Sequence, residues 1–121
     1  MATKWWLRVF GAACMAIGIV HLLFGPPSII AGGPVNASID SELRFYAMLF
    51  IGFGGGFVWA AADLARRSVL VQALSGVFLA GGLARLLAIW QTGVPHAFYI
   101  VLIVVEIAVP VLNWVLLNRI H

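Results

Sequence analysis

Four long apolar stretches constrain the fold of this chain more than any other feature of its sequence. They cover about residues 5–25, 42–62, 68–91 and 97–118, and each is close to the roughly 20 residues that a helix needs to cross a bilayer. Hydrophobic residues make up 64% of the chain and charged residues 9%, so a soluble fold of this size would expose much apolar surface to water. The sequence therefore predicts an all-α integral membrane four-helix bundle, formed by a single domain over residues 1–121.

Turn-forming residues separate the four predicted spans. Pro26 ends the first helix, Asp40 or Ser41 caps the second, residues 63–67 form a tight polar turn, and Pro95 falls in the first turn of the fourth helix. The first stretch begins with basic residues, as a signal peptide does, but it is long and no small-residue cleavage site precedes a soluble domain. We therefore expect it to remain as an uncleaved span.

The basic residues are distributed unevenly between the two ends of the predicted helices. Arg44 lies at one membrane surface, and five others lie at the opposite surface: Lys4, Arg8, Arg66, Arg67 and Arg119. Basic loops are enriched on the cytoplasmic side. We therefore expect both termini in the cytoplasm, and a multi-pass location in a bacterial plasma (inner) membrane. Because the basic residues flank the spans instead of forming one patch, we expect no nucleic-acid partner.

Small residues recur at every fourth position on two of the predicted helices. They are Gly52, Gly56 and Ala60 on the second helix, and Gly76, Ala80, Ala84 and Ala88 on the third. Small residues at this spacing let helix backbones approach closely. The pattern predicts packing within the bundle, and a dedicated dimer motif is the alternative.

Ionisable residues are rare within the spans, and their depths indicate one shared region. At about 1.5 Å per residue, His21, Arg85 and Glu106 lie about 6, 9 and 14 Å below the outer ends of their helices. Glu42 and Arg44 lie at the outer start of the second helix. A charge inside a bilayer is costly and indicates a partner or a function. The sequence therefore predicts a polar pocket that opens toward the outside.

Glu106 is the most informative of these residues. Tyr99 and Asn113 lie seven residues to either side of it and share its helix face, while Pro110 has no N–H to donate to the Glu106 carbonyl. The depths of Arg85 and Glu106 differ by about 5 Å, which an arginine side chain can span. We therefore expect the two to interact. The pair is either purely structural or also contacts a ligand, and a proton-carrying carboxyl is a third interpretation.

The remaining polar residues have both structural and functional interpretations. His21 is either a hydrogen-bonded interface residue or a ligand contact. Glu42 is either a favourable charge at a helix N-terminus or part of the pocket. Arg44 is either a snorkelling interfacial charge, little needed for folding, or a contact at the pocket mouth. No second His or Cys stands at metal-ligand spacing on the His21 helix, so we expect neither a metal nor another cofactor.

Several short motifs follow one another in a defined order. They are Pro26 after the first span, Ser41-Glu42-Leu43-Arg44-Phe45, Gly81-Gly82-x-x-Arg85-Leu86, Gly93-x-Pro95 and Glu106-x-x-x-Pro110. This order resembles a family of small bacterial four-helix membrane proteins classed as a domain of unknown function, whose layout is similar to that of the DoxX-like group. The resemblance runs over nearly the whole chain. It implies a four-helix fold and a pocket, and it implies no established activity.

These features favour a protein that binds a membrane lipid or an isoprenoid-like hydrophobic small molecule. Polar residues would hold the head of this amphipathic ligand, and apolar side chains would hold its tail. The predicted ligand-binding residues are Arg85, Glu106, Arg44, Glu42, His21, Tyr99 and Asn113.

Three alternatives remain open. The first is a proton-coupled small-molecule transporter. The second is a membrane enzyme in which Glu106, Tyr99 and His21 supply acid–base catalysis on a hydrophobic substrate. The third is an accessory subunit of a larger membrane complex. A homo-oligomer and a larger membrane-protein partner are both compatible with the sequence.

Overall fold

The computed structural model describes the backbone of residues 2–120 and the side chains of residues 2–119. The described residues form four α-helices: α1 (Ala2–Phe24), α2 (Ala37–Ala61), α3 (Leu64–Thr92) and α4 (Ala97–Ile120). One short 3-10 helix, Pro26–Ser28, follows α1. All four α-helices are long and apolar enough to cross a membrane. The predicted all-α architecture with four membrane-spanning helices is therefore confirmed.

The second helix begins earlier than the sequence pattern predicted. It starts at Ala37, and its N-cap is Asn36, whose side-chain oxygen accepts a hydrogen bond from the Ile39 N–H at 2.9 Å. The expectation that Asp40 or Ser41 caps this helix was wrong. Asp40 instead lies in the first turn, because Asn36 already satisfies one of the free N–H groups at the helix start.

The third helix also begins earlier than predicted. It starts at Leu64, so Arg66 and Arg67 lie in its first turn and residues 63–67 do not form the predicted polar turn. That segment contains neither Gly nor Pro, and arginine is a good helix former. Nothing in the local sequence therefore stops the helix, and only Ala62 and Asp63 connect α2 to α3.

The chain divides into two compact units, Met1–Leu64 and Ala65–His121. In the first unit, α1 and α2 approach most closely where Gly11 faces Gly54. A Cβ atom on Gly11 would lie 2.5 Å from the Gly54 carbonyl oxygen, and a Cβ atom on Gly54 would collide with the Gly11 carbonyl oxygen. About two helical turns further along α1, a Cβ atom on Gly18 would lie 2.9 Å from the Ala47 carbonyl oxygen. Only glycine therefore permits this helix contact.

The predicted packing stripe on α2 is only partly correct. Ala60 is fully buried, but Gly52 is exposed and has no neighbouring atom within 4 Å of an added Cβ. The predicted stripe did not include Gly54, which is the residue of α2 that lies closest to α1.

In the second unit, the buried small residues of α3 are spaced by seven, not four. They are Ser68, Ser75 and Gly82. The predicted packing stripe on α3 was wrong, because its members Ala80, Ala84 and Ala88 are exposed and nothing lies within 4 Å of an added Cβ on Gly76. Steps of four residues rotate about 40° each around a helix, so such a stripe winds away from a neighbouring helix, whereas steps of seven stay on one face.

Candidate functional site

The candidate site lies in the second unit, where Arg85 of α3 meets Glu106 of α4. The Arg85 Nε–H donates a hydrogen bond to Glu106 Oε1, and the two side chains form an ion pair. Glu106 is buried, whereas 39% of the Arg85 side chain is exposed. The predicted interaction between these two residues is present, and it joins residues that are 21 positions apart in the sequence.

Two adjacent glycines of α3 make room for the Glu106 side chain. A Cβ atom on Gly82 would lie 3.0 Å from Glu106 Cβ, which is tighter than ordinary contact. A Cβ atom on Gly81 would lie 3.6 Å from Glu106 Oε2, at ordinary van der Waals distance. Gly82 therefore allows α4 to approach α3, and Gly81 leaves open space beside one carboxylate oxygen.

Tyr99 of α4 also lies near the arginine head. The Arg85 Cζ atom lies 5.9 Å from the centre of the Tyr99 ring, at the outer limit of a cation–π contact. The predicted common face of Tyr99 and Glu106 is confirmed by these positions, because both residues lie beside the same guanidinium group. Of the three residues predicted for acid–base catalysis, Glu106 and Tyr99 therefore lie beside Arg85.

The ion pair leaves several polar atoms without a hydrogen-bond partner. Within the second unit, Arg85 Nη1, Arg85 Nη2 and Glu106 Oε2 make no hydrogen bond. No unpartnered side-chain nitrogen or oxygen is enclosed among its described residues, so these three atoms are accessible at the surface of this unit. The site therefore presents two donors on a cation beside one acceptor on an anion.

Asn113 lies on the predicted face of α4, but its side chain forms a hydrogen bond that joins α4 to α3. Its side-chain Nδ2 donates to Ser75 Oγ at 3.0 Å, and both residues are 1% exposed. Pro110, also fully buried, lies between Asn113 and Glu106 on the same helix. Ser75 was missed by the sequence analysis, although its seven-residue spacing from Gly82 was a usable signal.

Arg44 belongs to the first unit and joins the ends of two helices. Its Nε donates to Asp40 Oδ1 at 2.9 Å, and its Nη1 donates to the Leu22 carbonyl oxygen at 2.9 Å. A cation at the free carbonyls of a helix C-terminus is stabilising. These contacts give Arg44 a structural role at the ends of two helices, and we expect it to contribute more to folding than a snorkelling charge would.

Gly25 is needed beside Arg44 for two reasons. Its φ angle is +65°, and a Cβ atom there would lie 2.5 Å from an Arg44 Nη atom. Its N–H donates to the His21 carbonyl oxygen at 2.9 Å and closes α1. A glycine at this position therefore ends the helix and admits the arginine at the same time.

His21 is hydrogen-bonded within the turn that follows α1. Its Nδ1 lies 2.7 Å from Ser28 Oγ, and the Ser28 hydroxyl donates to the Gly25 carbonyl oxygen at 2.5 Å. Because the hydroxyl has a single proton, we assign His21 Nδ1 as the donor to Ser28. This contact matches the structural interpretation of His21, and Ser28 is a residue that the sequence analysis missed.

Glu42 is exposed and lies one helical turn before Tyr46 on α2. Among the described residues, no group of three or more His, Cys, Asp or Glu side chains could hold a metal ion.

Two surface cavities are lined by residues other than the ion pair. The larger, of about 600 Å³, is lined by Val104, Ile107, Ala108, Val111, Leu112 and Val115. At about 100° per residue, these side chains centre close to the opposite side of α4 from Glu106. The smaller, of about 260 Å³, lies at the turn after α1 and includes Asp40. Neither lining contains Arg85 or Glu106, so a pocket that unites Arg44 with the ion pair stays a prediction.

Comparison with known proteins places the chain in a family. The family described as "Domain of unknown function (DUF4345)" matches residues 2–117, which confirms the resemblance to a family of that kind. No curated protein and no solved structure matches the chain.

Proposed function

Because the chain belongs to the DUF4345 family, whose description states no activity, we propose its function from the site itself. The protein is a membrane-embedded binding protein, and Arg85 holds the polar head of a small amphipathic ligand, such as a lipid or an isoprenoid. Glu106 orients the guanidinium group through Nε, and Tyr99 borders it.

The observation that supports this proposal is the incomplete pairing of Arg85. Its Nε donates to Glu106, while Nη1 and Nη2 have no hydrogen-bond partner within the second unit and remain accessible at its surface. An arginine within an apolar span is costly, and each unpaired donor adds to that cost. A head group with acceptor oxygens would offset this cost, because a phosphate or carboxylate matches the two parallel donors of a guanidinium.

Thermal unfolding in detergent tests the proposal. The protein is titrated with a panel of phospholipids and isoprenoid phosphates, and a ligand that binds the folded state raises the unfolding temperature by mass action. At a ligand concentration about 100 times Kd, the stabilisation is about 2.7 kcal/mol. We expect at least one panel member to stabilise the wild type and to stabilise Arg85→Lys less, because lysine keeps the charge but loses the paired donors.

Ser75→Ala is the matched control for this experiment. It removes a buried hydrogen bond between α3 and α4 without touching Arg85 or Glu106, so it should lower the stability of the free protein and leave the ligand-induced shift unchanged. If no member of the panel shifts the unfolding temperature of the wild type, the binding function is refuted.

A further inference from the structure

The unpaired atoms of the site have opposite chemical character, and this restricts the ligand further. Arg85 Nη1 and Nη2 are donors on a cation, and Glu106 Oε2 is an acceptor on a carboxylate. A simple anionic head group would use the two donors and leave Oε2 without a partner. A head group that carries an acceptor and a donor can satisfy all three atoms.

The charge of the pair leads to the same restriction. Arg85 and Glu106 together carry no net charge. An anionic head group would make the occupied site negative inside a low-dielectric span, where net charge is costly. A zwitterionic head group leaves the occupied site neutral, with each of its charges beside the opposite charge of the protein.

We propose that the ligand of this site carries a zwitterionic head group, with a phosphate on the Arg85 Nη atoms and a primary ammonium on Glu106 Oε2. This inference rests on the proposed binding function and specifies its ligand class. Phosphoethanolamine lipids have this chemistry. Phosphocholine lipids have the same charges, but their methylated nitrogen has no N–H to donate to Oε2.

Gly81 supplies the space that the ammonium group needs. No side chain extends from position 81, and a Cβ atom there would lie 3.6 Å from Oε2. Gly81→Ala would therefore place a methyl group where the ammonium approaches, at a distance that the Arg85–Glu106 pair tolerates. Because alanine is a better helix former than glycine, this variant should fold at least as well as the wild type.

Native mass spectrometry with lipids of identical acyl chains tests the inference. We expect the wild type to retain a phosphoethanolamine lipid about tenfold better than a phosphocholine lipid, since a hydrogen bond to a charged group is worth about one factor of ten. It should also retain it better than a phosphoglycerol lipid, whose hydroxyls can donate to Oε2 but whose net charge leaves the occupied site negative. Gly81→Ala should lose most of this preference, whereas Ser75→Ala should keep it. Soluble glycerophosphoethanolamine, a phosphodiester with the same net charge as the lipid head group, is added as a competitor, and it displaces the lipid if the head group alone is recognised.

The outcomes separate this inference from the function on which it rests. Equal or better retention of the phosphoglycerol lipid, or of the phosphocholine lipid, would overturn the zwitterionic assignment and leave binding at Arg85 intact. An unchanged preference in Gly81→Ala would also overturn it, because the ammonium would then lie elsewhere. If soluble glycerophosphoethanolamine binds as well as the lipid, the zwitterionic assignment holds and the ligand is a free molecule. Failure of every lipid and of the soluble compound to bind would refute both proposals.

Discussion

Removing either partner of the Arg85–Glu106 pair should destabilise the protein, and the two removals should differ in size. Breaking a buried ion pair costs about 3–5 kcal/mol, because the remaining charge is left unpaired, whereas exposed pairs contribute at most about 1 kcal/mol. Glu106 is 7% exposed, and the Arg85 side chain is 39% exposed. Arg85→Met therefore leaves a buried charge and should cost about 3 kcal/mol. Glu106→Gln leaves a charge that the protein encloses less completely, and it should cost about 1–2 kcal/mol.

Thermal unfolding of purified protein in detergent, followed by the fluorescence of the five tryptophans, measures these losses. The double variant should recover part of the sum, because it leaves neither charge unpaired, and the coupling energy should be about 1–3 kcal/mol. Two results would refute this reasoning. Strictly additive losses would show that the residues do not interact, and a larger loss for Glu106→Gln than for Arg85→Met would show that burial does not determine the cost.

Three further predictions concern the first unit and the topology. Gly11→Ala should cost about 1–3 kcal/mol through overpacking, since its Cβ would lie 2.5 Å from a carbonyl oxygen, whereas Gly52→Ala should be neutral or stabilising in the same unfolding assay. Arg44→Gln should lower stability by about 1–2 kcal/mol, since it removes an ion pair and a hydrogen bond to a helix end; an unchanged melting temperature would contradict this role. Reporter fusions after Asn36 should indicate the outside and fusions after Ala65 the cytoplasm, and mixed signals at both positions would indicate dual topology.

The sequence by itself determined the four spans and the most important polar contact. Hydropathy over about 20 residues identifies a membrane helix, because the bilayer acts on each helix separately. The seven-residue spacing of Tyr99, Glu106 and Asn113 placed them on one face, since helix geometry is local. The match in depth between Arg85 and Glu106 then predicted their contact, because a buried charge requires a partner of opposite sign.

Only the tertiary structure decided which small residues bring helices together and which polar groups hold the turns. Two glycines lie on α1 and four on α2, and only the crossing point of the helices selects Gly11 and Gly54. Arg44 finds a backbone carbonyl 22 residues away, and every residue has such a carbonyl, so no side-chain pattern could reveal this contact. The donors and acceptor left unpaired beside Glu106 depend in the same way on side-chain placement, because a sequence shows which polar atoms exist and only the packed helices determine which of them are used.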